Sequence, residues 1–357
     1  MLKLKSGIKT TAFVLTIILS AGVFFSCDRQ EDDNSLSDSS SETDSDKKFV
    51  SAEKIKEALP GIVCWGDSLT SGPGGNAMSY PKSLQSCIDE SIAALCPAAK
   101  ELGISVPVVN MGVGGENTNT ILGRNGAVPF ITSSAFTIPS EVKSVAVKFM
   151  SENGKPVAPL IQGNAGMEFV TIEGVKGIIS RSGNGYVFTR NEAGNSVHVS
   201  KGTKIITAGS EPYREYISVI FIGQNGGFTG YDELVEQQKA IIEHQTKNKD
   251  KFIIIGLHTT TPSYREDLEG LMTEEYGDKY INLREYMSTD AMSDAGLTPS
   301  QSDISAMEGG NVPPSLLSED LLHFNSDGYE IIGRLVFNRM EHLGYFDELR
   351  EILTEKE

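Results

Sequence analysis

Short apolar runs alternating with helical periodicity constrain this chain more than any other feature. Ile62–Trp65, Val106–Met111, Tyr216–Ile222, Phe252–Leu257 and Tyr280–Leu283 read as strands. Between them the spacing changes. Leu84, Ile88, Ile92 and Leu95 predict a helix over 80–102, and Asn117–Leu122 opens a short one. Leu234, Val235, Ala240, Ile241 and Ile242 form a stripe over 231–245; Ile331, Ile332, Leu335, Val336 and Met340 do the same over 325–343. Apolar strands separated by helices are joined by crossovers, so the expected class is α/β, a mostly parallel sheet with helices on both faces.

Residues 125–212 break that rhythm. They are Gly-rich, and Ser144–Phe149, Glu168–Ile172, Gly185–Phe188 and Lys204–Ile206 are short alternating segments joined by Asn-Gly, Gly-Asn and Glu-Ala-Gly turns. A small all-β unit is predicted, inserted between 49–124 and 213–357 of the α/β domain. The sequence leaves open whether it is scaffold or meets substrate. Arg181, Tyr186 and Arg190 are its candidates for contacting a carbohydrate or an acid.

The N-terminus reads as an address. Lys3, Lys5 and Lys9 precede the apolar run Ala12–Leu19, and small residues follow up to Ser26-Cys27. This is the pattern of an export signal over residues 1–26, too short for a comfortable membrane span. A Cys directly after the apolar segment resembles the lipobox of bacterial lipoproteins, which makes Cys27 the expected lipidation site and the cell envelope the expected location. Residues 27–48 are acidic and Ser-rich with almost no apolar side chain, as in a disordered tether. The net charge of -17 sets the chain against nucleic acid and anionic lipid, so membrane attachment is expected only through Cys27. Of the remaining cysteines, Cys64 lies in an apolar run as a buried small hydrophobe. Cys87 and Cys96 flank one helical segment, too far apart on a straight helix for a disulfide.

The chemistry collects where an open parallel sheet places ligands, at the carboxyl ends of its strands. Gly66-Asp67-Ser68-Leu69-Thr70 follows the first strand, and Asn110-Met111-Gly112-Val113-Gly114-Gly115-Glu116 the second. Gly223-Gln224-Asn225-Gly226 follows the third, and Asp320-Leu321-Leu322-His323 precedes the last helix. A serine hydroxyl needs an adjacent base to become a nucleophile. His323 can be that base, and Asp320, three residues earlier, can orient it and stabilise the imidazolium. The backbone N–H groups of Ser68 and Gly115 and the side-chain amide of Asn225 can hold an oxyanion. Asp67 is read as shaping the turn through nearby backbone hydrogen bonds. His258 follows a strand and is a candidate substrate contact, whereas His244 and His342 are expected on solvated helix faces and His198 in the β unit.

These segments resemble the conserved blocks of the SGNH, or GDSL, hydrolase family, in the family's order and over roughly 49–124 and 213–345. Gly66-Asp67-Ser68-Leu69 matches the nucleophile block and Asp320-Leu321-Leu322-His323 the Asp-x-x-His block. Asn110–Glu116 is similar to the block whose glycine, here Gly115, joins the oxyanion hole. Gly223-Gln224-Asn225 is similar to the block that contributes its asparagine. Gly226 stands where that block often carries Asp. The resemblance implies a flavodoxin-like three-layer α/β/α fold and hydrolysis of an ester or thioester without a cofactor or metal. By analogy within the family, O-acyl or O-acetyl groups on carbohydrate are the favoured substrates; lipid esters, thioesters and a non-catalytic binding lipoprotein are the alternatives. Gly112-Val113-Gly114 begins like a dinucleotide fingerprint, but Asn117 occupies its sixth position, and neither a phosphate-binding loop nor a His/Cys cluster with metal spacing occurs.

Overall fold

A computed structural model describes residues 52–159, 169–259 and 261–354. The export segment, Cys27 and the acidic tether lie outside the described residues. In chain order, α1 (Ala52–Ala58) leads to β1 (Ile62–Gly66), the short α2 (Ser68–Ser71), α3 (Tyr80–Leu95), β2 (Val108–Gly112) and α4 (Thr118–Asn125). Nine strands follow: β3 (Phe130–Thr132), β4 (Phe136–Ile138), β5 (Ser144–Val147), β6 (Phe149–Ser151), β7 (Val170–Ile172), β8 (Val175–Ser182), β9 (Gly185–Arg190), β10 (Val197–Val199) and β11 (Lys204–Thr207). The chain then runs through β12 (Ile217–Phe221), α5 (Tyr231–His244), β13 (Phe252–Ile255), α6 (Pro262–Tyr276) and β14 (Tyr280–Ile281). It ends with α7 (Leu283–Thr289), α8 (Ala291–Asp294), α9 (Gln301–Glu308), α10 (Ser326–His342) and α11 (Asp347–Thr354).

The first, second and last three of these strands form one sheet in the order β14-β13-β12-β1-β2, with every pairing parallel. Successive side chains point to opposite faces, and both faces are covered. Ile62, Cys64, Val219, Phe221 and Ile253 join a core with α3, α7 and α10. Val63, Trp65, Ile220, Ile254 and Met111 join a second core with α4, α5 and α6. All five residues of β12 are buried, which is why its sequence is a continuous apolar run rather than an alternating one. The order reverses at β1: β2 lies on one side of it and β12 on the other, so a crevice opens between their carboxyl ends.

The stretch from β3 to β11 is antiparallel, a seven-stranded sheet with a separate β4–β10 pair, closed around Phe130, Ile138, Ile172, Ile179 and Phe188. Its strands are more numerous than the sequence reading gives. The expected segment 144–149 is two strands, separated at Lys148, and β3, β4, β8 and β10 are additional. Three-residue strands are too short for alternation to register.

Other expectations need correcting. The helix read over 80–102 ends at Leu95, because Cys96 precedes Pro97 and the proline ring pushes it out of the helical region, to φ -133°, ψ 88°. The cysteines need no correction: Cys64 is buried, Cys64, Cys87 and Cys96 are free thiols, and burial pushes the Cys64 thiol far up. His244 is half-buried rather than solvated: it donates from Nε2 to Ser210 O over 2.9 Å. Arg190 is buried and donates to the carbonyls of Glu192, Pro139 and Asn195, so it pins a loop instead of facing a ligand.

Candidate active site

Ser68 is the first residue of α2, immediately past the carboxyl end of β1. Three features fold the chain this way. Asp67 is the N-cap, and its carboxylate accepts from Leu69 N–H over 3.0 Å, satisfying one of the donors a helix start leaves orphaned. Gly72 closes the turn in the left-handed region at φ 95°. Gly66 and Gly112 let two strand ends approach α2. A Cβ on Gly66 would lie 2.0 Å from Thr70 Oγ1, and one on Gly112 2.3 Å from Ser71 N. Asn110 completes the support: its Nδ2 donates to Thr70 O over 2.9 Å, while its Oδ1 accepts from Gly112 N.

The second component is the turn before α10. Asp320 Oδ1 accepts from Ser318 Oγ at 2.7 Å, Leu322 N at 3.0 Å and His323 N at 2.9 Å. Asp320 Oδ2 accepts from His323 Nδ1 at 2.5 Å. Four donors, the imidazole foremost, hold the Asp320 carboxyl well below the usual carboxylate range, although the side chain is half exposed. The turn forces Leu321 to φ 55°, a conformation non-glycine residues rarely adopt. With Nδ1 bonded to the carboxylate, Nε2 is left as the acceptor, and it lies 2.8 Å from Ser68 Oγ. Ser68, His323 and Asp320 therefore form one hydrogen-bonded row, assembled from chain segments about 250 residues apart.

The third component is the pair of loops after β2 and β12, which carry Gly115 and Asn225. Gly115, exposed and at φ 80°, lies in the loop after β2. Among the described residues, neither its N–H nor that of Ser68 has a hydrogen-bond acceptor. The third donor is differently placed. Asn225 Nδ2 donates to Glu116 O over 3.1 Å and to Asp67 Oδ2 over 3.3 Å. Gly226, the departure from the expected Asp, has φ 68°, and its carbonyl accepts from Thr118 N–H. Glycine suits that left-handed position, and the loop carrying Asn225 is thereby tied to the start of α4.

Two interactions escaped the sequence reading. Burial raises the Asp67 carboxyl to about 6, against the pull of the Leu69 N–H and His323. Arg124 and Glu116 form a fully buried ion pair at 2.7 Å, with Arg124 lying over Trp65 and also donating to Gly66 O. That pair fixes the backbone of Glu116, whose carbonyl holds Asn225. No motif marks either link, because the partners are brought together only by the sheet.

His258 lies near this constellation but with its own bond. It is 3% exposed, packs on Phe324 with ring centroids 4.6 Å apart, and donates from Nε2 to Leu322 O over 2.8 Å. Burial lowers its pKa to about 4, keeping it neutral beside His323. In the β region, Arg181 is exposed and donates to Tyr186 OH over 3.2 Å.

No protein-family model and no curated protein matches the chain. Nine solved chains match it. One, described as "Peptidoglycan O-acetylesterase in action, 5 min", is 11% identical over 82% of this chain and 95% of that chain, at a TM-score of 0.30. With likeness that low, what the site can do follows from its own geometry: a hydroxyl, an imidazole and a carboxylate in sequence.

Proposed function

We propose that the protein is a serine esterase of the SGNH, or GDSL, type. The observation that carries this reading is the row Ser68 Oγ–His323 Nε2–Asp320, at 2.8 Å and 2.5 Å, standing at the reversal point of a parallel sheet. The strand order, 2-1-3-4-5 when strands are counted within the sheet, supports the flavodoxin-like fold of that family. His323 takes the Ser68 proton as the hydroxyl oxygen attacks the ester carbonyl. Asp320 stabilises the imidazolium, and His323 then gives the proton to the leaving alcohol. Water, activated by the same imidazole, releases the acid and restores Ser68. The N–H groups of Ser68 and Gly115 receive the oxyanion directly, and Asn225 turns one N–H from Asp67 toward it.

Exported, lipid-anchored at Cys27 and acting on O-acyl or O-acetyl groups of carbohydrate is the address and substrate class we attach to this reading. The basic and apolar N-terminus supports the first part, and family analogy the second. The deciding experiment is hydrolysis of p-nitrophenyl acetate by the chain from residue 49 onward, with Ser68→Ala beside it. The expected outcome is measurable turnover that falls about 10⁴-fold or more in the variant. Equal rates for the two, or none for either, would defeat the reading.

A further inference from the structure

His258 is a buried imidazole that the chemistry proposed above leaves unused, and it meets the turn that carries the base. It stands just past β13, on the segment leaving the carboxyl end of the sheet. Its ring packs on Phe324, the neighbour of His323 in the chain, with centroids 4.6 Å apart. Among the described residues the ring makes one hydrogen bond, from Nε2 to Leu322 O at 2.8 Å. That oxygen belongs to the peptide joining Leu322 to His323. The nitrogen of the same peptide, His323 N, donates to Asp320 Oδ1 at 2.9 Å. The peptide that carries the base is therefore held at both ends, by His258 on its oxygen and by Asp320 through its nitrogen. Hydrogen bonds in a chain polarise one another, so an oxygen that accepts from His258 makes the His323 N–H a better donor to the carboxylate.

Among the described residues, the other backbone bonds of 318–323 lie within the turn. Leu321 N donates to Ser318 O and Ser318 N to His323 O, while Leu322 N donates to Asp320 Oδ1. Leu321 is held in the left-handed region at φ 55°, and a non-glycine residue stays there only where its surroundings over-determine it. Those bonds shape the turn; the bond from His258 registers it against the sheet. β13 pairs with β12, and β12 with β1, whose end leads into Ser68. One frame thus presents the hydroxyl through β1 and, through His258, the peptide that aims the imidazole at it. The 2.8 Å between His323 Nε2 and Ser68 Oγ depends on both.

Packing alone does not account for an imidazole here. With Nε2 donating, Nδ1 is an acceptor, and it is buried with no hydrogen-bond partner. An unmet buried acceptor destabilises, and an apolar side chain of similar size would fill the same space without that penalty. The bare nitrogen also suits a neutral ring, which the site requires. A second imidazolium would oppose the charge that His323 takes up with the serine proton.

We propose that His258 is a positioning residue for the base, donating through Nε2 to hold the Leu322–His323 peptide where His323 meets Ser68. The proposal rests on the esterase reading above. Loss of the donor frees that peptide to tilt, and a displacement of about 1 Å at the reacting atoms is enough to lower the rate about 100-fold.

The test measures p-nitrophenyl acetate hydrolysis by the whole chain and by three variants. His258→Gln places an amide N–H at the reach of Nε2, His258→Asn carries the same group one methylene short, and His258→Leu has no donor. The Leu and Asn variants should lose about 30-fold or more in kcat with KM within about twofold, while His258→Gln stays within about fivefold of the wild type. Urea midpoints taken in parallel should not follow that order, because stability responds to filling the space and kcat to the donor. Histidine-selective 15N spectra of the wild type give a readout independent of any variant: His258 should be neutral at about pH 7 with its proton on Nε2. A proton on Nδ1, wild-type kcat in His258→Leu, or equal losses in all three variants would overturn the role. Wild-type turnover that does not depend on Ser68 would instead overturn the esterase reading beneath it.

Discussion

Asp67 adjoins Ser68 in the chain and Asp320 holds the imidazole that meets its hydroxyl, and their surroundings push the two carboxylates in opposite directions. Asp320 is half exposed and receives four hydrogen bonds, His323 foremost, which hold its carboxyl well below the usual carboxylate range. Asp67 is 1% exposed and is raised to about 6 by burial. They should therefore fail differently when changed. Asp320→Asn keeps a side chain that can accept from Leu322 and His323 but reverses the tautomer demanded of the imidazole, so kcat should fall about 10³-fold or more. Asp67→Asn leaves one good acceptor oxygen for two donors, Leu69 N–H and Asn225 Nδ2. The Asn225 amide loses its support, and kcat should fall about tenfold with KM within about twofold, since only the transition state uses that donor. Steady-state kinetics on p-nitrophenyl acetate checks both, and an Asp67→Asn enzyme with wild-type kcat would show that Asp67 only caps α2. Ser68, Asp320, His323, Gly115 and Asn225 were legible in the sequence because each follows a strand end or precedes a helix at short spacing. The contact between Asp67 and Asn225 was not, since 158 residues separate them and nothing local requires it.

At the scale of elements, the site depends on how closely two strand ends approach a four-residue helix. A Cβ at position 112 would meet backbone atoms, Ser71 N at 2.3 Å and Thr70 C at 2.7 Å, and backbone cannot rotate away as a side chain can. Gly112→Ala should cost about 1–3 kcal/mol of stability and lower kcat further than KM, because α2 carries Ser68 as it shifts. Gly270 is the contrast. It is an exposed residue inside α6 with nothing within 4 Å of a built Cβ, so Gly270→Ala should stabilise by about 0.5–1 kcal/mol with activity unchanged. Denaturant unfolding with parallel kinetics separates the two, and a neutral Gly112→Ala would show that the strand ends have room to spare. The parallel strands and the main helices were readable because their apolar runs are long and buried on both faces. The antiparallel strands β3, β4 and β10 have three residues each, less than two periods of alternation, and the pairing across the insertion decides them.

Over the whole molecule, opposed titrations shape the response to acid. His258 protonates at about 4 when folded and near 6.5 when exposed, so the unfolded chain takes up its proton first. Its depressed value makes stability fall as pH drops from 6.5 to 4. Asp67 has the reverse sign: raised from 3.8 to about 6, it binds a proton in the folded state first, so stability rises as pH drops through the same window. The two oppose each other, so the wild-type urea midpoint should change less between about pH 6 and pH 4 than His258 alone would dictate. Below that, carboxylates with depressed values add to the loss. Burial raises the Asp303 carboxyl, but hydrogen bonds from Ser300 and Ser315 outweigh it and hold it at about 2, so its stabilisation is lost as the unfolded carboxyl protonates from 3.8 downward. Asp320 adds to the fall with the same sign, discounted because it is half exposed. Removing one of the opposed pair exposes the other. Asp67→Asn, free of a buried carboxylate, should unfold at higher urea than the wild type at pH 7.5 and then lose stability more steeply than the wild type from pH 6.5 to 4. Urea midpoints for both proteins across pH 3–8 provide the check. Parallel curves would mean that Asp67 titrates like an exposed carboxylate, and that the acid sensitivity of the fold originates elsewhere.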